Sequence, residues 1–191
     1  MAAQRTGNGR ANALKVGQEL VLRVEESCKA PAEHVYDALA DLRTHLQWAG
    51  EQQKKRSRLL SLTAPEGYAS VGTEFETTGA DPMGRFHDAS VVTAASRPSA
   101  FEFVTEAHLE LKKGGNVVDW TNVHRYETVP EGGGCRIAYT IRITRISELP
   151  GMLAMLTMPV LSKVVARAAA SVARRAVRNL ARLAEQRARA R

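Results

Sequence analysis

The segment CRIAYTIRITRI, residues 135–146, alternates between apolar and polar side chains. Arginine and threonine occupy most of the polar positions, while a cysteine, a tyrosine and three isoleucines occupy the apolar positions between them. Because successive side chains of a β-strand point to opposite faces of a sheet, this pattern predicts a strand with one buried face. The side chains expected to point inward are those of Cys135, Ile137, Tyr139, Ile141 and Ile143.

The turn PEGGG, residues 130–134, connects this strand to the one before it and therefore sets the register between them. A register that keeps charged side chains off the inner face pairs Tyr126 with Ile137, His124 with Tyr139 and Trp120 with Ile143. The side chains of the preceding strand that point inward would then be those of Trp120, Asn122, His124 and Tyr126. Carried through the next turn, KKGGN, the same reasoning turns inward Phe101, Phe103, Thr105, Ala107 and Leu109, and leaves the glutamates 102, 106 and 110 outside.

The rest of the chain supplies four more strand-like segments and two helices. We predict seven strands, at residues 18–28, 54–63, 70–80, 85–96, 99–111, 117–129 and 135–146. Strands 54–63 onward are separated by short turn-like gaps, so neighbouring strands in that series should pair antiparallel. Residues 29–42 and a short piece at 43–50 look helical, and a last helix runs from about residue 150 to the end. This element order predicts an α+β fold.

The first strand should turn inward Leu20, Leu22, Val24, Glu26 and Cys28. If it pairs antiparallel with the last strand, Cys28 comes close to Cys135. We expect these two cysteines, the only ones in the chain, to form a packed thiol pair and not a disulfide, since nothing in the sequence indicates an oxidising compartment. The chain is accordingly expected to be cytoplasmic.

The last helix carries an apolar stripe and most of the chain's net positive charge. Residues 163–191 contain nine basic residues and one acidic residue, so the net charge of +7 reflects this segment and not the body. The residues at helical spacing are Leu161, Val165, Ala168, Val172, Ala176, Leu180 and Leu183. We expect this stripe to pack on the sheet, with the arginines in water. The stripe fades after about Glu185, where the helix should fray.

Several function classes lack their sequence signals. The histidines and cysteines have no metal-ligand spacing, and no P-loop, G-x-S-x-G or dinucleotide fingerprint is present, so we expect no metal and no cofactor. The arginine-rich helix lacks interleaved aromatic side chains, which makes nucleic acid an unlikely partner. The domain organisation expected is a flexible leader at 1–16, one domain at 17–185 and a frayed basic end at 186–191.

The chain resembles the START-like helix-grip (SRPBCC) superfamily, and within it the polyketide cyclase/dehydrase and lipid-transport group. The resemblance covers about residues 18–185. It is carried by Ala30–Pro31, Val35–Tyr36, Leu39–Ala40–Asp41–Leu42, Trp48, Gly72–Thr73, Trp120, Tyr126 and Gly134. It implies a seven-stranded antiparallel curved sheet wrapped around a long C-terminal helix, with a hydrophobic ligand held between them. It does not imply a catalytic motif.

An inner face of aromatic and aliphatic side chains with a few polar groups is typical of a small-molecule pocket. The ligand-binding residues expected are Glu26, Trp48, Phe75, Phe103, Thr105, Trp120, Asn122, His124, Tyr126 and Tyr139. A hydrophobic small molecule, lipid-like or polyketide-like, is the expected partner. Glu26 could bind a polar ligand group, or it could lie at the sheet edge in water.

Two alternative functions remain open at this point. In the first, the pocket is the active site of a cyclase, dehydratase or hydrolase, with His124 as the acid–base residue; a buried, hydrogen-bonded histidine is the simpler interpretation. In the second, the protein is a peripheral membrane or lipid-transfer protein. Its methionines 152, 155 and 158 would then enter lipid, and the arginine-rich helix would make weak contact with an anionic membrane surface.

Overall fold

The computed structural model describes residues 20–50, 58–112, 114–147 and 159–190. The expected leader, the methionine-rich segment and the side chains of Leu161 and Val165 lie outside the described residues. The strands are β1 Leu20–Cys28, β2 Arg58–Thr63, β3 Glu74–Ala80, β4 Gly84–Ser96, β5 Ala100–Leu111, β6 Val117–Glu131 and β7 Gly134–Ile146. The helices are α1 Ala32–Ala40 and α2 Pro159–Arg189, with a 3₁₀ turn at Leu42–Thr44 and a π-helical turn at Leu46–Gly50.

The seven strands form one antiparallel sheet in the order β1-β7-β6-β5-β4-β3-β2. Strands β2 to β7 follow one another as a meander, and β1 joins the sheet beside β7, so β1 and β2 are the two edges. The sheet curves around α2, which gives the α+β helix-grip fold expected from the sequence. Helix α1 packs against α2 and contributes buried apolar side chains such as Val35 and Leu39 to the same core.

The inner face of the sheet carries the side chains that alternation predicts. Phe101, Phe103 and Leu109 of β5 are buried, and the pairing of β5 with β6 sets Phe103 opposite His124. At the sheet edge, Cys28 pairs with Cys135 as expected, and both cysteines are free thiols. The Cys28 thiol donates to the Ala181 carbonyl oxygen of α2 at 3.6 Å.

The register between β6 and β7 differs from the expected one. Tyr126 lies opposite Tyr139, and Ile143 lies opposite Asn122 instead of Trp120. The hairpin turn is the cause, because only Gly132 and Gly133 leave the ladder, with φ values of 57° and 85°. A two-residue turn with both central φ angles positive is the connection that best matches the twist of paired strands.

This register error equals two residues, so each side chain keeps the face that the sequence predicted for it. A further irregularity follows in the β6–β7 ladder, between Thr121 and Asn122 of β6. It places Trp120 opposite Ile146, at the far end of the inner face.

Helix α2 buries a face that only partly matches the expected stripe. Leu180 is fully buried as expected, but Val177 and Ala184 are fully buried too, and Ala168 is exposed. The helix therefore lies rotated about its axis relative to the prediction. Its helical conformation extends to Arg189, past Glu185, after which fraying was expected.

Charged contacts attach the second half of α2 to β1 and to the end of α1. Arg178 pairs with Glu26 of β1 at 2.9 Å, and Arg187 pairs with Asp41 at 3.3 Å. The Glu185 carboxylate accepts from the backbone N–H of Lys29 at 2.9 Å. Among the described residues, no helix is long and apolar enough to cross a membrane.

Replacing Leu180 by alanine should destabilise the protein by about 2–5 kcal/mol, because it removes a fully buried side chain and leaves a cavity. Leu183→Ala is the matched control, since Leu183 lies on the same helix but is only half-buried. Its cost should be smaller. Urea unfolding of both variants measures the difference in the free energy of unfolding. Equal losses would contradict the helix orientation described above.

Candidate functional site

A cavity of about 380 Å³ lies between the inner face of the sheet and α2. This volume falls within the range of small-molecule sites, roughly 300–1,000 Å³. Its lining comes from all seven strands, the π-helical turn and α2. The lining residues are Leu22, His45, Trp48, Ala49, Leu59, Phe75, Thr77, Phe86, Asp88, Ser90, Phe103, Thr105, His124, Tyr126, Tyr139, Ile141, Ala169, Val172, Ala173 and Ala176.

The composition of α2 explains why a space remains there. Among the described residues of α2, four line the cavity, and three of them are alanines, Ala169, Ala173 and Ala176. One turn further on, Val177 and Leu180 replace them, and both are fully buried in the core. The same helix therefore fills one end of the sheet and leaves the other end open, because methyl side chains are too short to reach the strands.

Aromatic rings form one wall of the cavity. The His45 ring lies 4.3 Å from the Trp48 ring and 5.7 Å from those of Phe75 and Phe103, measured between centroids. The π-helical turn, a feature often found at functional sites, brings Trp48 to this position. The Trp48 indole N–H donates to the Thr44 hydroxyl at 3.2 Å, which fixes the ring.

His124 and Tyr139 form a hydrogen-bonded pair inside the cavity. The His124 Nδ1 lies 2.7 Å from the Tyr139 hydroxyl oxygen, and either group can donate, depending on the histidine tautomer. The His124 ring stacks on Phe103 at 4.6 Å. Burial, with a smaller contribution from His45, lowers the pKa of His124 to about 3, and burial raises the pKa of Tyr139. Both groups are therefore neutral at physiological pH.

His45 is a second buried neutral histidine, and the sequence did not mark it as a site residue. Burial lowers its pKa to about 4. Its Nδ1 is buried and has no hydrogen-bond partner among the described residues. Since buried polar atoms are normally paired, this atom is available to a ligand or to water.

Asp88 is the other lining residue that the sequence analysis missed. It lies on β4, two residues from Ser90, and both side chains face the cavity. Burial raises the pKa of Asp88 to about 6, while a long hydrogen bond from the Thr77 hydroxyl, at 3.4 Å, acts in the opposite direction. Extending the inward–outward alternation one strand further, from β5 to β4, would have identified it.

Seven of the ten expected site residues line the cavity: Trp48, Phe75, Phe103, Thr105, His124, Tyr126 and Tyr139. The other three do not. Glu26 is on the edge strand in its ion pair with Arg178, which matches its alternative placement at the sheet edge. Trp120 lies opposite Ala107, further along the inner face, and Asn122 is buried opposite Thr105. In the part of the chain that the structure describes, no cluster of histidine, cysteine and carboxylate side chains could hold a metal ion.

Acidification should destabilise the protein because the cavity contains buried neutral histidines. Unfolded histidine binds a proton near pH 6.5, whereas folded His124 resists protonation down to about pH 3. Between these values the unfolded state holds more protons, so the free energy of unfolding falls as the pH falls. Urea unfolding between pH 7.5 and 4.5 measures how the free energy of unfolding depends on pH. This dependence should be shallower in His124→Gln than in the wild type, by up to about 1.4 kcal/mol per pH unit.

His34→Gln is the control for this titration, since His34 lies on α1 outside the cavity. It should retain the wild-type dependence on pH. If His124→Gln and the wild type lose stability in parallel, the His124 imidazole is not buried and neutral as described.

No known family model matches the chain, and no curated protein matches its sequence. Solved structures do match. An uncharacterised protein from Rhizobium leguminosarum is 14% identical with a TM-score of 0.60, covering 88% of this chain and 96% of that one. A protein of unknown function from Staphylococcus aureus is 13% identical with a TM-score of 0.59, covering 88% and 95%. Ara h 8.0201 is 10% identical with a TM-score of 0.54, covering 88% and 99%. The chain therefore shares the helix-grip fold with these proteins.

Proposed function

We propose that this protein binds a hydrophobic small molecule, lipid-like or polyketide-like, in the cavity between the sheet and α2. The observation that carries the proposal is an unfilled volume of about 380 Å³ with mostly apolar walls, between the sheet and α2. Protein interiors are normally close-packed, so a space of this size leaves its lining without contacts that a ligand would provide. The resemblance to the polyketide cyclase/dehydrase and lipid-transport group supports the same class of ligand.

The walls suit a ligand with flat or unsaturated parts. Tyr126 and Tyr139 stack at 4.5 Å, and Trp48 meets Tyr126 edge-on at 5.8 Å. Aromatic rings contribute large contact areas and prefer stacked or edge-to-face neighbours. A ring or conjugated segment of the ligand would find both geometries in this wall.

Proton transfer by His124 is the alternative function in the same cavity. Acid–base catalysis is most efficient when the pKa of the catalytic group lies near the working pH, and the pKa of His124 is lowered to about 3. Its hydrogen bond with Tyr139 orients a neutral ring. These properties favour a role in holding the ligand over a role in moving protons, and we place the binding function first.

The peripheral-membrane alternative depends on two parts of the chain. Its methionines lie outside the described residues. Of the arginines on α2, Arg178 and Arg187 are held in ion pairs with Glu26 and Asp41, while Arg174, Arg175 and Arg182 are exposed. Exposed arginines are also what a solvated helix face requires, and so they do not favour a membrane over water.

Filling the cavity should abolish ligand binding without unfolding the protein. Ala173→Leu introduces a longer side chain at a lining position, where the existing space can accommodate it. We expect the affinity for the neutral dye N-phenyl-1-naphthylamine, measured by its fluorescence increase, to fall at least tenfold. Thermal unfolding should show an unchanged or higher Tm, since the new side chain gains contacts in the cavity.

Ala168→Leu is the matched control, because Ala168 lies on the same helix, is exposed and does not line the cavity. It should bind the dye as the wild type does. Equal dye affinity in the two variants would show that the dye binds elsewhere and would contradict the proposal.

A further inference from the structure

A strip of polar side chains crosses the inner face of the sheet along the cavity. Its members are Thr77 of β3, Asp88 and Ser90 of β4, Thr105 of β5 and Asn122 of β6. They are neighbours across the ladders, since Thr77 pairs with Asp88, Ser90 with Thr105, and Thr105 with Asn122. All except Asn122 line the cavity.

The hydrogen bonds within this polar strip leave two acceptor atoms without a donor among the described residues. The hydroxyls of Ser90 and Thr105 lie 2.8 Å apart, and one of them donates to the other. The Thr77 hydroxyl donates to the Asp88 Oδ2 at 3.4 Å, which is a long contact. The Asp88 Oδ1 and the Asn122 Oδ1 are buried and have no partner among the described residues. Both of these atoms are oxygens, so the two unpartnered atoms of the strip are hydrogen-bond acceptors.

Asp88 also forms no ion pair in the described part of the chain, and only the charge of the neighbouring His87 acts on it. No arginine or lysine side chain there forms an ion pair with Asp88, and its neighbour His87 instead contacts Glu76 at 3.4 Å. The two histidines that line the cavity, His45 and His124, resist protonation because they are buried. A buried carboxylate is costly unless it is paired and hydrogen-bonded.

We propose that Asp88 receives a hydrogen-bond donor, a hydroxyl or a protonated amine, carried at one end of an otherwise hydrophobic ligand. The apolar body of this ligand would then lie against the aromatic wall and the alanines of α2. The inference rests on the proposed binding function and specifies the ligand further. A fatty acid is disfavoured, because its carboxylate would meet the Asp88 carboxylate and would bring no donor when ionised.

The size of the cavity supports a ligand of this kind. About 380 Å³ accommodates a medium-length chain or a small ring system, and one polar end is sufficient to orient it. Burial also raises the pKa of Asp88 to about 6, so at pH 7.5 the free protein presents mainly the carboxylate. A hydroxyl or an ammonium group would stabilise that form through a charge-assisted hydrogen bond.

The test compares four ten-carbon probes at pH 7.5: decan-1-ol, decylamine, 1-methoxydecane and decanoic acid. Binding is followed by tryptophan fluorescence, because Trp48, one of the two tryptophans, lines the cavity. We expect decan-1-ol, decylamine or both to bind the wild type at least tenfold more tightly than 1-methoxydecane and decanoic acid. Equal affinity of 1-methoxydecane and the two donors would overturn the assignment of Asp88 while leaving the binding function intact.

Two substitutions then separate the kinds of donor. Asp88→Asn removes the charge and keeps an acceptor, so it should remove a preference for decylamine and retain one for decan-1-ol. Asp88→Leu removes both and should bring all the probes to similar affinity. Asp119→Asn is the control, because Asp119 is exposed and pairs with His108 on the outer face; it should leave every affinity unchanged.

The remaining outcomes also decide the question. A donor preference that persists in Asp88→Leu, with wild-type circular dichroism and Tm, contradicts the role of Asp88. The comparison of probes in the wild type does not depend on how any variant folds. Failure of all four probes to bind saturably contradicts the proposed function, and this inference with it.

Discussion

The packing of α2 on the edge of the sheet is the contact on which the rest of the structure depends. Val177, Leu180 and Ala184 bury their side chains completely, and ion pairs from Arg178 and Arg187 fix the helix to β1 and to the end of α1. Among the described side chains of α2, these fully buried residues and paired charges all lie in the second half of the helix. The preceding turns face the cavity with Ala169, Ala173 and Ala176, whose short side chains leave the space unfilled.

Buried polar atoms without partners lie in the cavity and beside it, in the part of the chain that the structure describes. His45, Asp88 and Asn122 each have a buried atom without a partner in the described residues, and an unsatisfied buried group costs roughly 1–3 kcal/mol. Apolar side chains of similar size would be expected to make the domain more stable. Sites where stability is given up in this way are commonly sites of function, which is consistent with a pocket that a ligand completes.

Alternation along the strands was enough to predict the seven strands and the inner face of β5, β6 and β7. The pairing of Cys28 with Cys135 followed only on the condition that the first and last strands are neighbours, which they are. Alternation could not give the register between β6 and β7, because PEGGG permits several turn lengths, and only the positive φ angles at Gly132 and Gly133 select one. The rotation of α2 was misjudged for a different reason. Alanine counts as weakly apolar in any stripe, so Ala168 and Ala184 look alike in sequence, although only the second is buried.

The site itself was predicted in part. The aromatic residues were found because rings at inward positions stand out, whereas Asp88 was missed because the faces of β4 were not assigned. Glu26 is at an inward-facing position of β1, but β1 is an edge strand, and there Arg178 forms an ion pair with Glu26. Alternation along a strand gives the face on which a side chain lies. The position of the strand within the sheet then decides whether that side chain reaches the cavity or lies at the edge of the sheet.

Native mass spectrometry of the freshly purified protein, before and after incubation with a cellular lipid extract, tests the central claim most directly. The account predicts a one-to-one adduct of a defined mass that denaturation releases and that Ala173→Leu does not carry. A wild-type protein that keeps its apo mass after the incubation, and so cannot be distinguished from Ala173→Leu, would contradict it. The interior space would then be a packing defect of the fold and not a binding site.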